Sequence, residues 1–179
     1  MKRAFIIFSL LTFSLSLAAQ EYTSRQNESS MKVSGTSTLH DWDIVVESFA
    51  GKATIKGETM ESASFTAEVK SMKSGTSTMD DNTYKALKAK DHPKITFIST
   101  GITNSTGKLI IRGNLTIAGV TKPITLNTNW EKWAEKSTSV SGSYTFKMSE
   151  FGIDPPRAML GAIKTGDDIT ITYKLVLYR

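Results

Sequence analysis

The chain has 179 residues, a length typical of one domain, and apolar residues make up 39% of it, which is enough for a hydrophobic core. Its net charge is +5, but lysine and arginine form no basic cluster, so we expect no nucleic-acid partner. There is no cysteine, which excludes disulfides, a thiolate nucleophile, lipidation of a cysteine and cysteine-based zinc sites.

Met1 to Ala19 resemble a secretory signal peptide, because two basic residues precede an apolar run from Phe5 to Leu17 and small residues follow it. A membrane anchor is the alternative, but the run is shorter than the about 20 residues that cross a bilayer. We therefore predict a periplasmic or secreted protein whose mature chain has no stable membrane anchor. Residues 20–30 are polar (QEYTSRQNESS) and are predicted to form a frayed leader before a domain over residues 31–179.

Eight segments alternate apolar and polar residues with a period of two, which is typical of strands with one buried face. They cover residues 31–37, 42–57, 63–70, 95–103, 109–117, 122–130, 140–148 and 169–177. The second strand carries a predicted bend near Phe49–Gly51, where the apolar face changes sides. Glu131–Ser137 is predicted to be a charged turn, and Phe151–Gly166 an irregular loop whose Met159 is too apolar to be free in solvent.

One helix is predicted between the third and fourth strands. Thr78 precedes Asp81 by three residues, which is typical of an N-cap followed by an acid in the first turn. The segment YKALKAK, which begins at Tyr84, is rich in helix formers. Since the residue before a proline disfavours helical geometry, the helix is expected to end before His92–Pro93.

Eight alternating strands, short links and one helix predict an all-β antiparallel barrel or sandwich. Pairing of the last strand with the first would close a barrel and remove both exposed edges. A barrel of eight strands either is filled by its own side chains or holds one small ligand. The strand pattern does not choose between these two interiors.

Alternation assigns one set of large side chains to the interior: Phe65, Val69, Phe97, Ile111, Leu115, Leu126, Trp130, Tyr144, Phe146, Ile171, Tyr173 and Leu175. Other positions on the same faces are small or flexible, namely Ala63, Ala67, Gly113, Gly142 and Met148. Small residues inside a closed barrel would leave room for an elongated apolar ligand. An ordinary packed core is the equal alternative.

Candidate catalytic residues are few. His40 adjoins Asp41, but neighbours in a strand point to opposite faces, so we favour a structural hydrogen bond for His40 over a general base. His92 precedes a proline and is interpreted as a turn residue. The two histidines have no HExxH-like spacing, and the chain has no G-x-S-x-G motif. We therefore predict no catalytic residue, no metal site and no cofactor.

The order of several short motifs resembles the YceI-like family of periplasmic lipid-binding proteins. SGTSTLHDW from Ser34 is similar to its opening strand, and TYKALKAKDHPKITFIS from Thr83 to its helix and the next strand. GNLTIAGVTKPITL from Gly113 is similar to its most specific segment, and FGI from Phe151 and GDDITITYKL from Gly166 follow in order. The resemblance implies a lipocalin-like, eight-stranded antiparallel β-barrel that binds polyisoprenoid or other amphiphilic chains in its pore.

The leading hypothesis is therefore an exported, non-enzymatic carrier whose partner is a lipid, with a homodimer left open. Many family members carry an Arg-Asp pair before the helix, whereas Asp80-Asp81-Asn82 stands here, which leaves the ligand's head group open. The predicted ligand-binding residues are the large interior set above together with Trp42 and Met159 in the pore, and His40 and Arg157 at its mouth. The alternatives are a stress-related interaction protein with a solid interior and a hydrolase or isomerase that uses His40.

Overall fold

The computed structural model describes residues 18–134, 136–158 and 161–179, so residues 1–17 of the predicted signal peptide lie outside it. Twelve strand segments make up most of the described chain: β1 Gln20–Ser24, β2 Ser30–Ser37, β3 Trp42–Val46, β4 Phe49–Lys56, β5 Thr59–Glu68, β6 Met72–Lys73, β7 Lys94–Ser105, β8 Lys108–Ile117, β9 Val120–Ala134, β10 Ser137–Lys147, β11 Arg157–Ala158 and β12 Ile163–Tyr178. The helix α1 spans Ser77–Ala86, and short 3-10 turns span Gln26–Glu28, Val69–Ser71 and Met148–Phe151.

These segments form a closed antiparallel barrel of eight strands, as predicted. Three of the barrel strands are interrupted and contribute two segments each, namely β1 with β2, β3 with β4, and β5 with β6. The ring closes because β12 pairs with β10 on one side and with β1 and β2 on the other. The predicted bend in the second strand is the break between β3 and β4, and α1 lies between the third and fourth barrel strands as expected.

Three predicted boundaries are wrong. Gln20–Ser24 do not fray but form β1, in which Tyr22 is buried opposite Ala53. The neighbours of Tyr22 face solvent, which is why a polar segment can form this strand. Most of the predicted turn at Glu131–Ser137 belongs to β9 and β10, whose ladder continues there. The loop predicted over Phe151–Gly166 contains β11 and the start of β12.

The helix also begins two residues earlier than predicted, since Thr78 was expected to be the N-cap. Thr76 is the N-cap, and the acid in the first turn is Asp80. Asp80 accepts hydrogen bonds from the Ser74 backbone N–H (2.8 Å) and hydroxyl (2.7 Å). The pKa of Asp80 is lowered, first by these two bonds and then by the nearby Lys73 ammonium. These contacts hold the start of α1 against the end of β6.

The up-and-down order of the strands gives the barrel two different ends. The tight turns at residues 57–58 and 106–107 and the start of β1 lie at one end, which we call the floor end. The loop at residues 38–41, α1 and residues 148–158 and 161–162 lie at the other, which we call the mouth end. The mouth end carries nearly all of the non-strand structure, so an opening into the barrel is expected there.

The seam between β5 and β7, the line along which these two strands pair, is held partly by side chains. The backbone ladder between β5 and β7 stops at the pair Ser64–Ile98. Toward the floor end, the Ala63 N–H donates to Ser99 Oγ (2.9 Å). The Met60 N–H donates to Asn104 Oδ1 (2.8 Å), and Asn104 Nδ2 donates back to the Met60 carbonyl oxygen (3.0 Å). Side chains of β7 therefore replace the backbone pairing over this stretch.

Candidate functional site

The interior of the barrel is hollow. A deep cavity of about 120 Å³ occupies the middle of the barrel, and a mouth cavity of about 340 Å³ lies between it and α1. The two are adjacent, since Val33, Met72, Ile95 and Ile171 line both of them. The sequence left a packed core and a cavity equally open, and the structure shows a cavity.

The deep cavity has an almost wholly apolar wall. Nine of the predicted ligand-binding residues line it: Phe65, Phe97, Ile111, Leu115, Leu126, Tyr144, Ile171, Tyr173 and Leu175. Part of this wall is formed by β4 and β5, where Ala53 and Ala63 face each other across the ladder and Ala67 lies four residues further along β5. Small side chains on two neighbouring strands thus leave room that larger ones would fill.

Two of the small positions that the sequence assigned to open space are not open. A Cβ atom at Gly113 would collide with the Phe97 ring, which packs directly against that backbone. A Cβ atom at Gly142 would lie 2.8 Å from the Tyr173 hydroxyl. These glycines admit aromatic rings of the neighbouring strands instead of a ligand, so the prediction for them is wrong.

The mouth cavity lies under α1 and is open to solvent. Helix residues Met79, Thr83 and Leu87 form part of its wall. Leu39 also lines it and is 67% exposed, which places it at the opening. Of the predicted ligand-binding residues, Trp42, Phe146, His40 and Arg157 line this cavity.

Two predicted ligand-binding residues line neither cavity. Trp130 is buried toward the floor end, where its Nε1–H donates to Thr138 Oγ1 (2.7 Å). Val69 was assigned to the interior by strand alternation, but β5 ends at Glu68 and Val69 is buried in the 3-10 turn that follows. Met159 lies outside the described residues.

Sequence reasoning also missed part of the lining. Met31 and Val46, from the first two barrel strands, line the deep cavity, and Met79 and Thr83 of α1 line the mouth cavity. The signal for the helix residues was present, since positions four apart share one face of a helix. It was overlooked because the interior was assigned from strand alternation alone.

The Thr128 and Tyr173 hydroxyls, both uncharged, lie on the wall of the deep cavity. Thr128 Oγ1 and the Tyr173 hydroxyl lie 2.7 Å apart and satisfy each other. Burial raises the pKa of Tyr173, outweighing the opposing effect of that hydrogen bond, and burial followed by the charge of Glu150 raises the pKa of Tyr144. Both phenols are therefore neutral at physiological pH. In the described residues, no fully buried side-chain nitrogen or oxygen lacks a hydrogen-bond partner.

His40 lies at the mouth in a structural role. Its Nδ1 lies 2.6 Å from the main-chain carbonyl oxygen of Asp41, and a carbonyl oxygen only accepts, so Nδ1 carries the hydrogen. The ring is thus oriented by a backbone group and not by a carboxylate, which differs from an acid–base dyad. Its free nitrogen, Nε2, is available to a ligand at the opening.

Neither a metal centre nor a membrane-spanning helix is found in the described ranges. No group of three or more histidine, aspartate or glutamate side chains is placed there to hold a metal ion. No helix in this part of the chain is long and apolar enough to cross a bilayer.

Comparison with known proteins matches residues 22–177 to the YceI-like domain. Curated relatives include UPF0312 proteins of Shewanella baltica, 36% identical over 73 residues, and Pseudomonas aeruginosa, 35% identical over 72 residues. Each of these matches covers 37% of this chain and only 38% of the relative's length.

Solved structures share the fold over nearly the whole chain. BcnA of Burkholderia cenocepacia superposes with a TM-score of 0.75 at 19% identity, covering 86% of this chain and 98% of BcnA. A polyisoprenoid binding domain from Saccharophagus degradans gives 0.69 at 10% identity, with 88% and 97% covered. The YCEI protein of Campylobacter jejuni gives 0.65 at 17% identity, with 100% and 99% covered. Because the family model matches from the first strand of the barrel to the last, this chain belongs to the YceI-like family.

Proposed function

We propose that this protein binds the hydrocarbon chain of an amphiphilic lipid, an isoprenoid or a long acyl chain, inside its barrel and acts as a non-enzymatic carrier. The observation that carries the proposal is the pair of adjoining, mostly apolar cavities, of which the mouth cavity lies under α1. The polyisoprenoid-binding description of one structural neighbour supports it, and so does the family, which favours a binding protein over an enzyme. The hollow interior argues against an interaction protein with a solid core.

Affinity would come from burial of the chain. Each CH₂ group moved from water into an apolar site contributes about 0.8 kcal/mol, so a chain of ten or more carbons binds without a dedicated polar contact. The deep cavity offers such a chain an apolar wall whose one hydroxyl pair is already satisfied. A ligand therefore loses no hydrogen bond of the protein when it enters.

The head group would remain at the mouth. His40 Nε2 and the exposed Arg157 guanidinium lie on the wall of the mouth cavity and are the contacts that we propose for it. A signal peptide would place this carrier in the periplasm or outside the cell, where an amphiphile needs shelter from water in transit.

Native mass spectrometry of the purified mature chain tests the proposal. We expect a mass above that of the polypeptide, which returns to the polypeptide mass after extraction with organic solvent and rises again on incubation with farnesol or palmitic acid. A bare mass both before and after such incubation would contradict the proposal.

A pair of variants locates the ligand. Ala63→Phe adds a six-carbon ring to a cavity that has room for about five carbons, judged from the benzene that a cavity of about 150 Å³ holds. We expect this variant to lose most of its lipid load. Ser62→Phe places the same ring on the exposed outer face of the same strand and should keep the load. Equal loading of the two folded variants would place the ligand outside the barrel.

A further inference from the structure

The size of the hollow limits the length of the chain that it holds. A cavity of about 150 Å³ accommodates benzene, which corresponds to about 25 Å³ per carbon. By that measure the deep cavity holds about 5 carbons and the mouth cavity about 14. The barrel therefore shelters fewer than about 20 carbons in total.

Large buried side chains form the floor of the deep cavity. Met60 lines the cavity and pairs with Ile55 beside the turn at residues 57–58, and it is only 1% exposed. Its backbone is fixed on both sides by the Asn104 amide, as described for the seam. Leu109, also 1% exposed, and Trp130 pack in the same buried cluster and do not line the cavity.

We propose that this floor is a length stop, which makes Met60 a specificity-determining residue and selects chains of about 15–20 carbons over long polyisoprenoids. The proposal rests on the proposed function and adds the class of ligand. A chain in this range fills the deep cavity with its tail and the mouth cavity with the rest. A longer chain gains nothing further, because its additional carbons remain in solvent beyond the opening near Leu39.

The test uses prenyl alcohols of increasing length on the mature protein. Geraniol, farnesol, geranylgeraniol and solanesol have ten, fifteen, twenty and forty-five carbons, and their Kd values are measured by displacement of bound cis-parinaric acid. Each added carbon that finds room should tighten Kd by about fourfold. We expect tightening from geraniol to geranylgeraniol and none from there to solanesol.

Variants then test the floor itself. Met60→Ala removes three side-chain atoms at the floor of the cavity, which makes room for the last carbon of geranylgeraniol that exceeds the wild-type capacity of about 19 carbons. The preference for geranylgeraniol over farnesol should therefore rise about fourfold. Leu109→Ala is the second floor variant and should shift the same ratio in the same direction. Ile110→Ala removes an apolar side chain from the outer face of the neighbouring position, which is 39% exposed, and should leave the ratio at its wild-type value.

The experiments distinguish failure of the length stop from failure of lipid binding. Solanesol binding that is tighter than geranylgeraniol binding by tenfold or more would overturn the length stop and leave the lipid-binding function standing. An unchanged preference for geranylgeraniol over farnesol in folded Met60→Ala and Leu109→Ala would likewise show that these residues do not limit chain length. Failure of every alcohol and of cis-parinaric acid to bind would instead overturn the proposed function. Should both floor variants fail to fold, the wild-type comparison with solanesol decides alone.

Discussion

The hydroxyl pair Thr128–Tyr173 lies on the wall of the deep cavity, and its energetics reveal whether that cavity is dry. Tyr173→Phe leaves the buried Thr128 hydroxyl without a partner, and Thr128→Val does the same to the tyrosine. A buried hydroxyl without a partner costs about 1–3 kcal/mol, whereas removal of both partners is nearly neutral. We therefore expect each single variant to lower the free energy of unfolding by that amount and the double variant to lie close to the wild type.

Urea unfolding followed by tryptophan fluorescence measures the four free energies of this double-mutant cycle. For a chain of this size, each single variant should also lower Tm by about 3–10 °C. Thr145→Val is the matched control, since it removes a hydroxyl of an exposed pair, Thr145–Thr170 at 2.8 Å, where water can replace the partner. It should change the free energy of unfolding by less than about 0.5 kcal/mol.

Additive single effects in this cycle would refute the reasoning. Additivity would mean that each hydroxyl left behind finds another partner, which inside this wall can only be water. An apolar cavity of this size is expected to stay dry, so the sign of the coupling tests the apolar character of the deep cavity directly.

Gly142→Ala should lower the free energy of unfolding by about 1–3 kcal/mol in urea titrations, because a Cβ there meets the Tyr173 hydroxyl at 2.8 Å; an unchanged midpoint would show that the ring moves aside freely. Asp80 has a lowered pKa through its bonds to Ser74, so its stabilisation is present above the unfolded-state pKa of about 4 and is lost as pH falls through the folded value. Stability between pH 6 and about pH 2 should therefore fall less in Asp80→Asn than in the wild type, and parallel curves would argue against the cap. Lipid binding should shift the emission of Trp42 at the mouth, and the shift should disappear in Trp42→Phe.

The fold was predictable because its strands alternate so regularly. In β8, the buried residues Leu109, Ile111, Leu115 and Ile117 are separated by outward residues that are mostly exposed, and the interior set could be read from that pattern. β1 was not predicted as a strand, because its inner face has one large apolar residue, Tyr22, among polar neighbours. A strand so poor in apolar side chains is specified by its partners β4 and β12 and not by its own composition.

The candidate site was only partly predictable, since alternation gives a direction and not the depth of a side chain along the barrel. Trp130 points inward as predicted and does not line the cavity, although its ladder partner Val140 does. Whether a small residue leaves space depends on its neighbour across the ladder. Ala63 faces Ala53 and leaves room, whereas Gly113 is covered by Phe97.

The seam between β5 and β7 ties the integrity of the wall to one chemically labile group. Asn104 closes the lower part of this seam with both atoms of its amide, accepting from and donating to Met60. Deamidation to aspartate would keep the acceptor and eliminate the donor, and it would set a carboxylate against the Met60 carbonyl oxygen. Deamidation of this single side chain would thus weaken the contact between β5 and β7 at the floor end, while the neighbouring strand pairs kept their backbone hydrogen bonds.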